Sequence, residues 1–588
     1  MSNHHSRFSE FPTTTREEWQ RAIPANQLSE AVIFSDSDQI ELSIINTYED
    51  LPPQDSAGSQ TIVSDECILE VPADNNINRE ALAKIVDSGA NGIFLPVDLP
   101  TMIFDLLREH HPFSLISQQF REVSSENMTK YLDYFRQLSE NQRVRGTIYP
   151  AEPSVGDVNG GDPIQADFMA TVTQQVRDLP SLRTVTVDGS IFHRQGASPT
   201  DELATVLSQW VACIDELTDR DLAAKEVIAR SEITLATGTD YFIDLAKFRA
   251  LRVLLKKVSE AYKVVDLTSS EPLLRAVSGR RNKTYYDRDS NILRNTTEAL
   301  AVLIGGVHTL SLLPHDFLHS TSGEFGNRMA TNVYHILRDE AHVSKVYDPA
   351  AGSYFLEDMT RQLVEKSWNL FLDFEQQGGF QSLWKNNALA DRFQQSAEQQ
   401  NNRVARHQEI IVGATRYINA KESADASDGT IKNENHGPRW ADIFERIRRY
   451  HDARAAGEAP RAKLQLWVQQ DNKYAALINT RANYIKDTLA AAGLTYQEYA
   501  IQQADDFELE TNEGKLGFIF CGTDAFYETT VVDVLKNKQL DESFRWIAGG
   551  AEAATDAVRQ AGGNGVLGVG HDVAALLNQT INNLSDEA

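Results

Sequence analysis

The sequence predicts an α/β protein: an N-terminal eight-stranded β/α barrel followed by a smaller, C-terminal flavodoxin-like domain. Three observations predict it. From residue 68 onward, short apolar runs alternate with amphipathic helical stretches, the pattern of parallel strands joined by helical crossovers. Eight such runs precede residue 313, at 68–71, 92–96, 114–117, 145–149, 184–187, 232–236, 273–277 and 307–312, and eight βα units suit a closed barrel. Five more, at 464–468, 496–500, 516–520, 545–548 and 565–568, crowd into the last part of the chain, as a doubly wound sheet requires.

Composition bounds the reading. A chain of 588 residues with 41% hydrophobic content can bury the cores of two or three domains. Its net charge of −28, from 84 acidic and 56 basic residues, argues against nucleic acid or an anionic membrane as partner. Cys67, Cys213 and Cys521 are too few and too scattered for a disulfide framework, which points to a reducing cytoplasm. No apolar run is long enough to span a membrane. Residues 1–15 are polar, without the apolar or Arg-rich pattern of an export signal.

Residues 1–60 read as an arm for partner contact, with a helix at 16–23, a strand at 40–45 and the docking aromatics Phe8, Phe11 and Trp19. The barrel is expected over 61–377, with helices at 79–88, 127–140, 164–179 and 240–258. The helix after the fifth strand is well marked. Ser198 suits the N-cap, Pro199 the first position and Asp201 a capping box, ahead of a stripe of Leu203, Val206, Leu207, Trp210, Val211 and Ile214. A helix at 296–304 ends at Gly305-Gly306; a polar loop with His315, Asp316 and His319, a helix at 328–340 and a turn at 348–353 follow the eighth strand. Residues 378–460, rich in Gln, Asn and Ala, read as an ordered belt with a turn-like 424–438 section and a basic helix at 440–456. The last domain covers 461–588, with helices at 479–492, 524–537, 552–560 and 573–583.

Three motifs recur in a fixed order: Glu298-Ala299-Leu300-Ala301 ending at Gly305-Gly306, then Arg328 with Asn332, then Asp348-Pro349-Ala350-Ala351-Gly352-Ser353. In this order they resemble the last barrel unit of methylmalonyl-CoA mutases, and Val412-Gly413 with Tyr417 resembles the link those enzymes place between domains. The likeness is to the small subunit of the heterodimeric bacterial enzyme more than to its cobalamin-binding partner. It implies a complex that interconverts succinyl-CoA and (R)-methylmalonyl-CoA by radical rearrangement. The large subunit would hold adenosylcobalamin and the catalytic residues; this chain would itself be inactive.

The departures carry that distinction. Cobalamin domains of this family hold cobalt through the His of a D-x-H-x-x-G loop after their first strand. Here that loop offers Asp471, but Lys473 and Ala476 stand where His and Gly are needed, and no His occurs between 463 and 500. A protonated lysine has no lone pair for cobalt. The only His of the domain, His571, lies at its far end. The family's S-x-L is replaced by Cys521-Gly522-Thr523-Asp524, whose carboxylate would face an apolar tail unpaired. Its later glycine pair is kept as Gly549-Gly550, a remnant that could approach a nucleotide tail or simply let a strand end turn. The barrel segments that line the acyl-CoA channel and supply a carboxylate-binding Arg are missing; residues 146–162 carry a Gly/Asp-rich loop instead.

Ser190-Ile191-Phe192-His193 resembles the catalytic S-x-Y-H, which makes His193 a vestigial candidate; a His bonded inside a filled barrel mouth is the plainer reading. Arg280 and Arg281, with Lys283, form the best cationic patch, where the mutases help hold CoA phosphates; a solvated loop is the alternative. Tyr285-Tyr286 beside them would need a partner surface to bury both rings. His308, His315, His319 and Asp316 lack ligand spacing on one face, so no metal is expected. Two rival readings stay open. One is an active mutase subunit using a separate cobalamin chain; the other is a cobalamin chaperone, for which no Gly-x-x-x-x-Gly-Lys-Ser/Thr nucleotide loop is present.

Overall fold

The computed structural model describes residues 164–265, 270–319, 324–346, 348–424, 438–456, 463–508, 516–538, 540 and 543–585; earlier in the chain it describes 18, 21, 32–35, 38, 40–42, 68–72, 79–95, 117–121, 125–139 and 145–149. Two compact units result. The first is Met1–Ser278 with Thr297–Leu312 and Thr331–Phe393; the second is Gly279–Thr296, Leu313–Ala330 and Gln394–Ala588.

The first unit opens with an antiparallel hairpin, β1 (Val32–Ser35) and β2 (Ile40–Leu42). The strand expected at 40–45 is there in part, and its partner β1 was not expected. Ile40 is fully buried. Asp38, in the hairpin turn, accepts from Ser198 Oγ at 2.5 Å, and its carbonyl accepts from Lys366 Nζ at 2.8 Å. This piece of the arm therefore docks on its own chain; Phe8, Phe11 and Trp19 lie outside the described residues.

Nine parallel strands follow: β3 (Ile68–Pro72), β4 (Gly92–Leu95), β5 (Ser117–Arg121), β6 (Arg145–Tyr149), β7 (Leu182–Arg183), β8 (Val185–Asp188), β9 (Ser231–Ala236), β10 (Leu273–Val277) and β11 (Thr309–Ser311). They form one sheet in the order β7-β6-β5-β4-β3-β11-β10-β9-β8. Its two end members are separated in sequence by Thr184 alone. In a flat sheet β6 and β9, six places apart in that order, would be about 29 Å apart at ~4.8 Å per strand. Yet Thr147 Oγ1 of β6 donates to Glu232 Oε2 of β9 at 2.6 Å. The sheet curls round on itself. β5 is displaced from the expected 114–117: its sequence, SQQFR, is largely polar, and the apolar Leu115-Ile116 just ahead draws the periodicity away from it.

The helix Pro199–Thr218 begins as its sequence requires. Asp201 N donates to Ser198 Oγ at 3.1 Å and Ser198 N to Asp201 Oδ2 at 3.3 Å, closing the capping box, which stabilises a helix by about 1 kcal/mol. The helix expected at 296–304 runs from Ser290 to Gly305, starting about a turn and a half early, and Ser290 Oγ donates to Asp287 at 2.6 Å at its start. Gly306 then takes φ +81°, and a Cβ there would stand 2.8 Å from an Arg252 nitrogen. In the later motif Asp348 and Glu357 bracket Arg249 at 3.1 and 2.8 Å, and Gly352 N donates to Glu357 at 3.1 Å. These shared motifs build scaffold.

The second unit holds β12 (Lys463–Gln469), β13 (Tyr496–Ile501), β14 (Leu516–Cys521), β15 (Phe544–Ala548) and β16 (Gly565–Leu567), all parallel, in the order β13-β12-β14-β15-β16. The central strands β12, β14 and β15 are buried on both faces, which is why they read as largely apolar runs, whereas the edge strand β13, YQEYAI, is mostly exposed. Leu464, Leu466, Val468, Ile519 and Trp546 join one core cluster; Trp467, Phe518, Phe520 and Ile547 join the other. Val404, Ile411, Ala414, Ala441 and Phe444 pack into the first of these. The helix Ala388–Ala405 was not expected in so Gln-rich a stretch; Leu389, Phe393, Ala397 and Val404 supply a narrow buried stripe. Among the described residues no helix is long and apolar enough to cross a membrane.

Candidate functional site

Side chains from five strands of the first sheet meet on one of its faces. Glu232, 1% exposed, accepts from Thr147 Oγ1 and from the hydroxyl of Tyr149. Arg275 of β10, 4% exposed, donates to Ser311 Oγ at 3.0 Å and lies 3.4 Å from the Tyr149 hydroxyl. Its guanidinium also sits 4.7 Å from the ring centre of Phe94, which meets Tyr149 edge-on at 5.7 Å. Thr147, Tyr149, Glu232, Arg275, Ser311 and Phe94 thus form a hydrogen-bonded plug. Charged groups this deep are tolerated only when so bonded.

His193 lies in the short helix Ser190–Gln195, directly after β8, where barrel chemistry is usually found. It is buried, and its amide donates to Gly189 O at 3.1 Å. Phe192 points into an aromatic contact with Phe380 and Phe393. His308 Nδ1 accepts from Leu274 N at 3.0 Å and His319 Nε2 lies 3.0 Å from Tyr285 O, so both imidazoles have backbone work. Among the described residues no group of three or more His, Cys, Asp or Glu could hold a metal ion.

Arg280 and Arg281 belong to the second unit and His193 to the first. The structure does not support a solvated cationic patch here: Arg281 and Lys283 are buried, at 5% and 1% exposure. The Arg281 guanidinium faces the Trp440 ring at 5.7 Å, and burial pushes its pKa down to about 10. No carboxylate among the described residues pairs with it. Arg439, by contrast, is held by Asp442 and by Glu445 at 2.7 Å. Tyr285 and Tyr286 need no partner surface, contrary to expectation. Both are buried by this chain, with Tyr285 stacked on His319 at 4.2 Å and Tyr286 donating to Asp452 at 2.7 Å beneath Arg448.

At the C-terminal crest of the second sheet, Asp471 accepts from Lys473 N at 2.9 Å and turns the chain outward, leaving Lys473 exposed. Tyr527 fills the space between β14 and β15: its hydroxyl accepts from Gly522 N at 3.1 Å and donates to Ala548 O at 2.8 Å. Gln469 accepts from Thr523 N at 2.8 Å. Asp524, expected to be unpaired, meets Arg481 at 2.8 Å, and Arg481 also donates to Gly522 O at 2.6 Å. Gly549 and Gly550 take φ +60° and +145°; a Cβ on Gly549 would meet nothing within 4 Å, and one on Gly550 would touch Tyr527. His571 is half-buried beyond β16, its amide donating to Gly568 O.

Residues 158–496 match the family described as methylmalonyl-CoA mutase. The chain belongs to that family. It is 32% identical over 254 residues to the methylmalonyl-CoA mutase small subunit of Porphyromonas gingivalis, covering 43% of this chain and 41% of that one. To the probable methylmalonyl-CoA mutase small subunit of Mycobacterium bovis it is 29% identical over 420 residues, 68% of this chain and 66% of that one. The methylmalonyl-CoA mutase of Rhizobium meliloti is 27% identical over 322 residues, 54% of this chain and 43% of that one. The matches thus span less than two thirds of these relatives' own lengths. Among mutases, the chain resembles the small subunits.

The mutase family is cobalamin-dependent, and the crest of the second sheet does not fit a cobalamin held by a histidine. The loop after β12 presents Lys473 and no imidazole, and the ends of β14 and β15 are closed by the buried side chains of Phe526 and Tyr527. The loop after β6 carries no arginine, and the buried arginine of this face, Arg275, stands on a strand. The signal was present: Glu232 and Arg275 are the charged residues of the strand runs SEITLA and LLRAV, and the strands of a parallel sheet are buried.

Proposed function

We propose that this chain is the small, non-catalytic subunit of a heterodimeric methylmalonyl-CoA mutase. Its partner, the large subunit, would hold adenosylcobalamin and carry out the radical isomerisation of succinyl-CoA and (R)-methylmalonyl-CoA. This chain contributes a fold. Residues 61–377 form a closed β/α barrel of the acyl-CoA mutase type, supported by the curl of the parallel sheet; 461–588 form a flavodoxin-like domain, supported by the strand order of the second sheet. The arm of 1–60 reaches the partner, the belt of 378–460 joins the domains, and the complex is cytoplasmic, in keeping with the buried thiols of Cys213 and Cys521.

The observation that carries this reading is the plug of Glu232, Tyr149 and Arg275. Where an acyl chain would pass through a mutase barrel, this one has hydrogen-bonded side chains at 1–4% exposure. Losing a site while keeping a core is physically straightforward, because packing and chemistry are separable. On this reading His193, Gly549 and Gly550 are remnants, and Arg280 and Arg281 are the positions best suited to meet an anionic group.

The test is His193→Ala in the complex with the large subunit. Turnover should stay within a factor of two of the wild type. Removing a working electrophilic hydrogen bond costs about 2.7–4 kcal/mol, or a hundredfold or more in rate, and a fall of that size with the complex intact would favour an active barrel. Adenosylcobalamin added to the chain alone should give no stoichiometric spectral change of histidine ligation.

A further inference from the structure

At the C-terminal end of β9, within the first unit, three carboxylates and one ammonium are buried together. Glu202, Asp244, Lys247 and Glu298 are all at most 3% exposed. Lys247 Nζ donates to Glu202 Oε2 at 2.9 Å and to Ala236 O at 2.6 Å, and stands 3.5 Å from Asp244 Oδ1. The remaining oxygens hold the strand end and the start of the next loop. Glu202 Oε1 accepts from Ala236 N at 2.9 Å, Asp244 Oδ2 from Gly238 N at 2.7 Å, and Glu298 Oε2 from Thr237 Oγ1 at 2.7 Å. Asp240, at the start of the helix that carries Asp244, adds negative charge near Asp244, and Asp188, at the end of β8, adds it near Glu202.

Lys247 stands between two of these carboxylates, Glu202 and Asp244, and its single charge cannot balance both. A buried anion without a counter-charge is strongly unfavourable, and taking up a proton relieves it. We propose that this cluster is a proton-binding device, in which Asp244 keeps a proton in the folded chain and releases it as the pH rises, loosening the first unit. Asp244 is the member least served by Lys247, at 3.5 Å against 2.9 Å for Glu202. Burial above all, then the fields of Glu298 and Asp240, push its pKa up to about 7 against the pull of Lys247 and the Gly238 amide. The folded chain therefore binds the proton more tightly than the unfolded chain does. The stability this lends is complete below the ordinary Asp range and is lost as the pH climbs to about 7, above which the loss levels off.

Urea unfolding of the full chain from pH 5 to pH 8.5, wild type against Asp244→Asn, tests this. The isosteric amide cannot titrate. The ratio of wild-type to variant folding constants should fall by up to about tenfold per pH unit below pH 7 and then flatten. Unfolding near pH 6 should also release one more proton from the wild type than from the variant, measured by calorimetry in buffers of different ionisation heat. A pH-independent ratio or equal proton release would overturn the proposal. Should Asp244→Asn fail to fold, Glu298→Gln serves. Removing that neighbouring charge should move the wild-type fall to lower pH, and an unmoved window would overturn the proposal equally.

Discussion

Lys247 in the first unit and Arg281 in the second are both buried cations, housed in opposite ways. Lys247 has an acceptor for each of its three protons, two of them on carboxylates. Burial alone would lower its pKa, and Glu202 and Asp244 more than reverse that. Arg281 has an indole face and, among the described residues, no carboxylate, and its pKa falls. The first arrangement is over-supplied with negative charge and the second, among the described residues, has none. Burial by itself therefore says little about what a charged residue contributes; its partners decide the sign.

That contrast can be broken most sharply at Lys247. Lys247→Met keeps the volume and removes the only ammonium, so it should cost about 3–5 kcal/mol in urea unfolding. The cost should shrink at lower pH, where Glu202 and Asp244 can take up protons. A loss under 1 kcal/mol would mean that the carboxylates are already neutral without it. At Arg281 the same substitution should have the opposite sign. Replacing an unpaired buried guanidinium by an apolar side chain should raise stability by about 1–3 kcal/mol. A loss instead would show that an anion, in the chain or bound to it, pairs with Arg281. A residue that weakens its own fold is what a binding position looks like.

Much of the fold was legible because local patterns and tertiary packing agree. The strands at Arg145–Tyr149 and Leu273–Val277 and the helix Glu552–Gln560 match their expected limits residue for residue, and the Ser198 capping box forms as written. Where they disagree, the sequence misleads. The helix expected at 524–537 contains a wide turn at Tyr527–Val531, which seats Tyr527 in the crest; nothing in local periodicity encodes that. The candidate site was legible only in outline. His193 was placed at a strand end correctly, but the burial of Arg281 depends on Trp440 and that of Tyr285 on His319 and Glu445, contacts between distant parts of the sequence. Glu232 and Arg275 were visible as letters, and only the curl of the sheet reveals that Tyr149 joins them.

A third cation tests whether the comparison is a graded one. Arg481 is 18% exposed, between the extremes of full burial and open solvent, and its carboxylate partner Asp524 is 40% exposed. It also donates to Gly522 O and lies 5.5 Å from the ring centre of Tyr527, so it braces the crest of the second sheet. Water reaches this pair and screens it, which keeps the Coulomb gain well below that of Lys247; exposed pairs contribute about 0–1 kcal/mol. The Gly522 carbonyl adds one charge-assisted hydrogen bond, itself about 1.5–3 kcal/mol when dry and less here. Arg481→Met should therefore cost about 1–2 kcal/mol, less than Lys247→Met and opposite in sign to Arg281→Met. High salt should shrink that difference, because a half-exposed pair is screened and a fully buried one is not. Urea unfolding of the three variants at low and high salt gives the order directly. If Arg481→Met costs as much as Lys247→Met, and salt leaves both unchanged, the grading by solvent access is wrong and the crest is as tightly closed as the interior of the first sheet.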